Sequence, residues 1–337
     1  MSGRYRVCVL SSYIYGEGEG APYAHMGRDN RWFHGFVRSL LRLGSGLAEF
    51  DVDFARLPAD PGMVAGMSNR LHREGVRLVI CAGTDAVVRW ARANRSLPTL
   101  YFGAHPENNG LEILDQPNVS GVRLHLPLIW SFEHFALLRA LLPNLGALFV
   151  PINLRSEFAF PNVRAGWRRW RREDSGAWID GTSPWIGHRS VLFLAERLGV
   201  HFHEGPFDGL EELDRALSAV PPGTASAVLG FNDTVLLEGA VPLLLTRALE
   251  RGLPLLWVNN FPIVRTGGVA DFSSDFMKVG ERIGELALRI LRDGVPVHEL
   301  PFESDPGVRF GLNLARCGEL GLVVSADVRA RFHEIVG

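Results

Sequence analysis

Leu78-Val-Ile-Cys-Ala-Gly-Thr-Asp-Ala-Val-Val-Arg-Trp-Ala-Arg-Ala-Asn94 leads through Arg95 and Ser96 into Leu97-Pro-Thr-Leu-Tyr-Phe-Gly103. The five residues from Leu78 to Ala82 are an unbroken apolar run, short enough for a strand buried on both faces. Gly83 breaks it. From Asp85 the spacing turns helical and holds to Asn94, and Thr99 to Phe102 then forms a second β-rich run. Strands joined this way lie parallel, because a parallel pair needs a crossover and a helix supplies one.

The same unit recurs on either side. The pattern predicts strands over Arg6 to Ser11 and Phe50 to Phe54, with helices over Arg31 to Leu43 and Gly62 to Glu74. Trp32, Phe36, Leu40 and Leu43 line one face of the first helix, and Gly44 stops it. After Asn118-Val-Ser-Gly121 the alternation begins again. Helices are expected over Ser131 to Leu142, Arg189 to Leu198, Leu210 to Ala219 and Thr234 to Arg251. Strands are expected over Ala147 to Pro151, His201 to His203, Ala227 to Gly230 and Leu255 to Val258. The expected class is α/β, with two doubly wound parallel-sheet lobes and a cleft between them. Residues 166–188 interrupt the pattern with Trp167, Trp170, Trp178 and Trp185 among Arg168, Arg169, Arg171 and Arg172. They read as a surface insertion, a partner patch or a flap over the cleft.

Composition bounds the rest. With 337 residues, 47% apolar and 21% charged, the chain can bury two cores and is not a disordered tail. A net charge of −2 argues against a nucleic-acid partner. Lys278 is the only lysine among 35 lysines and arginines. Cys8, Cys81 and Cys317 cannot all pair, and the first two read as small core hydrophobes. No apolar stretch suffices for a membrane span or a secretory signal. As written the chain reads as cytoplasmic, or as extracytoplasmic if the start is processed or trimmed.

The chemical motifs are sparse. Gly16, Gly18 and Gly20 come after the first strand but do not open a helix directly, so a dinucleotide loop is not expected. A phosphate loop and a Gly-x-Ser-x-Gly elbow are missing, and Cys81 lacks the setting of an activated thiolate. His201 and His203, with His188 and Glu204, fit strand-edge solvation better than zinc, and neither cofactor nor metal is expected. The residues just beyond the strands are hydrogen-bonding and aromatic: Ser11, Ser12 and Tyr13; Thr84 and Asp85; His105; Asn153; Asn232 and Asp233; Asn259 and Asn260. Ligands of open parallel sheets bind beyond such strand ends, and these groups suit a small polar or zwitterionic molecule. Thr84, Asp85, Asn232 and Asp233 also read as plain helix caps.

Taken in order, Val79-Ile-Cys-Ala-Gly-Thr-Asp-Ala86, Pro117-Asn-Val-Ser-Gly121, Leu142-Pro-Asn-Leu145, Asn232-Asp-Thr-Val235, Leu253-Pro-Leu-Leu-Trp257, Asp275-Phe-Met-Lys-Val-Gly280, Ile290-Leu-Arg-Asp-Gly294 and the tail from Asn313 to Leu322 are similar to the substrate-binding proteins of ABC transporters, in the branch that includes aromatic amino acid binders. The resemblance implies a type I periplasmic-binding-protein fold, with two lobes joined by three crossovers that close on a ligand. It places lobe 1 at 1–122 plus 260–307 and lobe 2 at 123–259 plus 308–337, with crossovers near 120–123, 258–261 and 308–313. It maps the pocket onto Thr84, Asp85, His105, Asn153, Asp233, Asn259 and Asn260, with Asp275 as a further candidate. Ala104-His105-Pro106 stands where the family usually has Thr-Asp-Pro, so an imidazole replaces an acid. The implied partners are a small-molecule ligand and an ABC permease or signalling protein. An intracellular ligand sensor is the alternative, and an enzyme using His105 or Asp233 as general base a third reading.

Overall fold

The computed structural model describes residues 4–11, 31–104, 113, 115–123, 132–153, 199–231, 240–258, 263–304 and 307–337. The Trp/Arg-rich stretch 166–188 and the expected helix at 189–198 lie outside them. In chain order the first elements are β1 (Tyr5–Ser11), α1 (Arg31–Arg42), β2 (Phe50–Arg56), α2 (Pro61–Arg73), β3 (Leu78–Ala82), α3 (Thr84–Ala93), β4 (Thr99–Ala104) and β5 (Val119–Arg123). Next come α4 (Phe132–Leu141), β6 (Ala147–Asn153), β7 (His201–Phe207), α5 (Leu210–Ala219), β8 (Ala227–Phe231), α6 (Val241–Glu250), β9 (Leu255–Val258), α7 (Ile263–Thr266) and β10 (Ala270–Ser274). The chain finishes with α8 (Phe276–Leu291), β11 (Glu303–Ser304), β12 (Val308–Asn313), α9 (Leu314–Glu319), α10 (Ala326–Arg329) and β13 (Glu334–Val336).

Two compact units result, 1–124 with 275–307 and 125–274 with 308–337. The expectation had placed 260–274 in the first. β10 overturns it, because it pairs in parallel with β9 and antiparallel with β12, inside the second sheet. The chain therefore leaves the second unit after Ser274, not near Val258. A strand this short gives no sequence signal of which sheet it will join.

The first unit holds a six-stranded parallel sheet in the order β11-β5-β4-β3-β1-β2. Its inner strands β1, β3 and β4 carry nearly continuous apolar runs, as burial on both faces demands. β3 is buried at every residue, and in β1 the five residues from Val7 to Ser11 are. On one face α1 packs along α8, although about 240 residues of chain separate them. Trp32 packs against Phe102, ring centroids 4.8 Å apart and planes tilted by 35°, and Phe36 and Leu40 share its cluster with Ile283 and Leu286. The helices meet through glycines: a Cβ on Gly35 would stand 1.9 Å from the Met277 carbonyl oxygen, and one on Gly280 would stand 1.7 Å from that of Trp32.

A buried polar knot fixes the turn from α3 to β4. Asn94 is 1% exposed; its Nδ2 donates to the Leu97 carbonyl (2.9 Å) while its Oδ1 accepts from the Leu97 amide (3.0 Å). Trp90 Nε1 donates to Thr99 Oγ1 at 3.0 Å in the same knot. Truncating Asn94 to alanine orphans the buried Leu97 amide, and the Asn94→Ala chain is expected to lose about 2 kcal/mol, read from the urea midpoint of the full protein.

The second unit holds a seven-stranded sheet in the order β13-β12-β10-β9-β8-β6-β7, parallel except for the β10–β12 step. Its core gathers Leu137, Leu141, Leu148, Val150, Leu229, Leu256 and Leu312. One carboxylic acid sits inside it. Asp271 on β10 is 4% exposed and accepts a 3.4 Å hydrogen bond from the Val264 amide of α7. The bare Cα of Gly311 gives it room, because a Cβ there would lie 2.6 Å from Asp271 Oδ1. Burial pushes the Asp271 carboxyl from its ordinary 3.8 up to about 7, against the pull of the Val264 and Gly311 amides. Glu334 raises it further and Arg265 lowers it. Arg265 and Arg309 both hold Glu334, at 2.5 and 2.6 Å.

Candidate functional site

Parallel strands bring their carboxyl ends to one edge of a sheet. In the first unit Ser11 ends β1 fully buried, opposite Ala82 of β3, with its carbonyl accepting the Leu57 amide at 2.8 Å. Gly83 comes next with φ +92°, a conformation open to glycine and costly to L side chains, and its amide donates to the Phe102 carbonyl at 3.0 Å. α3 starts immediately, so Gly83 is the cap residue and Thr84 the first helical one. Thr84 and Asp85 therefore stand in the first turn, one and two residues past the cap. Asp85 lies in the first turn, where a negative charge complements the helix dipole. It pairs with Arg89 Nε at 2.8 Å, with side-chain exposures of 15% and 28%, and Arg89 also donates to the Pro58 carbonyl (3.4 Å). The structure thus brings Ser11, Thr84 and Asp85 to one sheet edge.

In the second unit the parallel strands β6, β8, β9 and β10 likewise end together. Asn153 closes β6, opposite Phe207 of β7. Ser274 closes β10 at 2% exposure, and its buried hydroxyl has no hydrogen-bond partner among the described residues. Asp275, the next residue, belongs to the first unit and caps α8, with its Oδ1 3.5 Å from the Lys278 amide and its Oδ2 3.5 Å from Lys278 Nζ. Its carboxylate is already engaged by the helix and the lysine. Ser12, Tyr13, His105, Asp233, Asn259 and Asn260, like the Asn153 side chain, lie outside the described residues.

Arg89, Ser274 and Lys278 were not singled out as site candidates from the sequence. The first was within reach, since Asp85 and Arg89 stand four apart on a helix and neighbour each other on its surface. The thiols offer little nucleophilicity here: burial pushes Cys8 up to about 12 and Cys317 up to about 11, and raises Cys81 as well. Among the described residues no group of three or more His, Cys, Asp and Glu could hold a metal. An open groove of about 550 Å³ runs between edge strand β7 and α5, lined by Phe149, His203, Glu204, Glu212 and Arg215 among others; of the described candidates, Ser11, Thr84, Asp85 and Asp275 do not line it.

Comparison with solved structures settles the architecture. An ABC domain from Streptococcus pneumonia, solved in complex with L-Trp, matches 99% of this chain and 100% of its own, with a TM-score of 0.73 at 19% identity. The fold is the type I periplasmic-binding fold. A substrate binding protein with adhesive properties from Clostridium difficile, in its ligand-free open form, shares that fold over 98% of this chain and 99% of its own (TM-score 0.64, 16% identity). A LacI-type transcriptional regulator from Bacteroides fragilis shares it over 91% and 96% (TM-score 0.58, 11% identity). No protein-family model and no curated relative matches the chain by sequence. The chain passes between the two units after residues 124, 274 and 307. No helix among the described residues is long and apolar enough to cross a membrane.

Proposed function

We propose that this chain is a solute-binding protein that closes its two units on a small polar organic molecule, an amino acid or a close analogue, and delivers it to an ABC permease outside the cytoplasm. The observation that carries the reading is the edge of the first unit, where Ser11 ends β1 and Thr84 and the Asp85–Arg89 pair follow β3, in a fold shared, over nearly the full length, with a protein solved around L-Trp. A half-buried carboxylate and guanidinium side by side suit a zwitterion, whose ammonium and carboxylate find opposite charges in one place. In this reading Ser12, Tyr13, His105, Asn153, Asp233, Asn259 and Asn260 complete the pocket, and the ligand leaves chemically unchanged.

Calorimetry against the twenty amino acids, purines and small organic acids tests it. One class is expected to bind at micromolar Kd or tighter, and Asp85→Asn is expected to weaken that binding about tenfold, or about 1.4 kcal/mol. A silent panel with no compound carried through purification overturns the reading, as does conversion of any bound compound.

The shared fold of a transcriptional regulator favours one second reading, a ligand sensor. Ligand-dependent stimulation of a permease in liposomes supports transport. A ligand-dependent complex with a soluble partner, lost when residues 166–188 are deleted while ligand affinity is kept, supports the sensor.

A further inference from the structure

Two of the chain's passages between the units run side by side. Ser274 pairs with Val308 as the last rung of the antiparallel β10–β12 ladder in the second unit. One residue on, in the first unit, the Asp275 amide donates to the Gly307 carbonyl at 2.8 Å. The backbone at 274–275 and at 307–308 therefore forms a continuous two-stranded ribbon at the point where the chain changes units.

Lys278 sits on that ribbon, and it is out of place by three measures. It is the only lysine among 35 lysines and arginines, so at every other basic position the chain carries a guanidinium. It occupies the third helical position of α8, where a cation opposes the helix dipole and where capping boxes carry Glu or Gln. It also lies against a glycine: a Cβ on Gly307 would stand 3.5 Å from Lys278 Nζ and 4.0 Å from its Cδ, so the stem runs over bare backbone. Its ammonium is 3.5 Å from Asp275 Oδ2, on the residue whose amide makes the 275–307 rung. A lysine is a compact point charge on a flexible stem, and a guanidinium is a flat, wider fork.

We propose that Lys278 is a positioning residue for the crossovers: its ammonium, held by Asp275 and laid over Gly307, locks the 275–307 rung so that the two passages move as one ribbon. The proposal deepens the solute-binding reading, since that ribbon is where opening and closing would be guided.

The test needs no ligand. Spin labels on Met63→Cys in the first unit and Leu249→Cys in the second, both exposed positions, report the distance distribution between units, and the native Cys8, Cys81 and Cys317 are buried from the label. K278M, which keeps the stem and removes the charge, is expected to widen the distribution at least twofold while leaving the melting temperature within about 2 °C. K278R is expected to recover less than half of that widening. An unchanged distribution in K278M overturns the proposal, as does a widening that comes with a fall in melting temperature, or a K278R chain that matches wild type. A binding panel that comes up empty leaves this measurement intact, so the two readings fail separately.

Discussion

Gly280→Ala is expected to destabilise the first unit by about 3 kcal/mol or more, although alanine is the better helix former by about 1 kcal/mol. The added methyl would stand 1.7 Å from the Trp32 carbonyl oxygen and 2.6 Å from its carbon, which is backbone and cannot rotate away. The helices must separate, and separation pulls Trp32, Phe36 and Leu40 out of the cluster they share with Phe102 and Ile283. Gly284 tightens the same contact, since a Cβ there would lie 1.9 Å from Ser39 Oγ. Gly66→Ala in α2 is the control: nothing lies within 4 Å of the added atom, and the same exchange is expected to stabilise by about 0.5–1 kcal/mol. Urea unfolding of the two variants should move in opposite directions. If both gain stability, the α1–α8 contact is looser than the glycines imply.

Asp271→Asn is expected to remove a pH dependence and to stabilise the protein above neutrality. The native carboxyl holds its proton to about pH 7, whereas in the unfolded chain it ionises near 3.8. The folded state therefore binds more protons between those values, so stability falls as pH rises through that window and levels off above it. At 1.36 kcal/mol per unit, the wild type is expected to lose roughly 3 kcal/mol relative to the variant between pH 5 and pH 8. Asparagine keeps an acceptor for the Val264 amide and carries no charge to bury. Denaturant midpoints of both proteins across that range decide it, and parallel profiles would show that the buried acid does not titrate there.

The local alternation was legible in the sequence. Apolar runs such as Leu78 to Ala82, cut off by Gly83, fit strands in a buried sheet, and amphipathic Arg31 to Leu43 fits a helix with one face laid on it, so period and length together pointed to the α/β class. The long-range pairings were not legible. Gly280 and Gly284 stand four apart in plain view, but nothing in the chain says that they face Trp32 and Ser39 of α1. β10 carries the same short β pattern whichever sheet takes it, and this misplaced 260–274. Ser11, Thr84 and Asp85 were readable as residues at the carboxyl ends of strands, because strand ends announce themselves. The engagement of Asp85 by Arg89 and of Asp275 by Lys278 depends on side-chain directions that spacing only suggests, and Ser274 needed burial to be seen at all.

The four outermost strands share a property. β11 has two residues and β13 three; β7 carries Pro206, which has no amide to donate; and β2 sets Asp51 and Asp53 against Arg6 of its neighbour. Brevity, a missing donor and fixed charge each deny a passing chain the row of free amides and carbonyls on which it could extend a sheet. Blunted margins of this kind keep the chain from seeding fibrils or swapped dimers at high concentration.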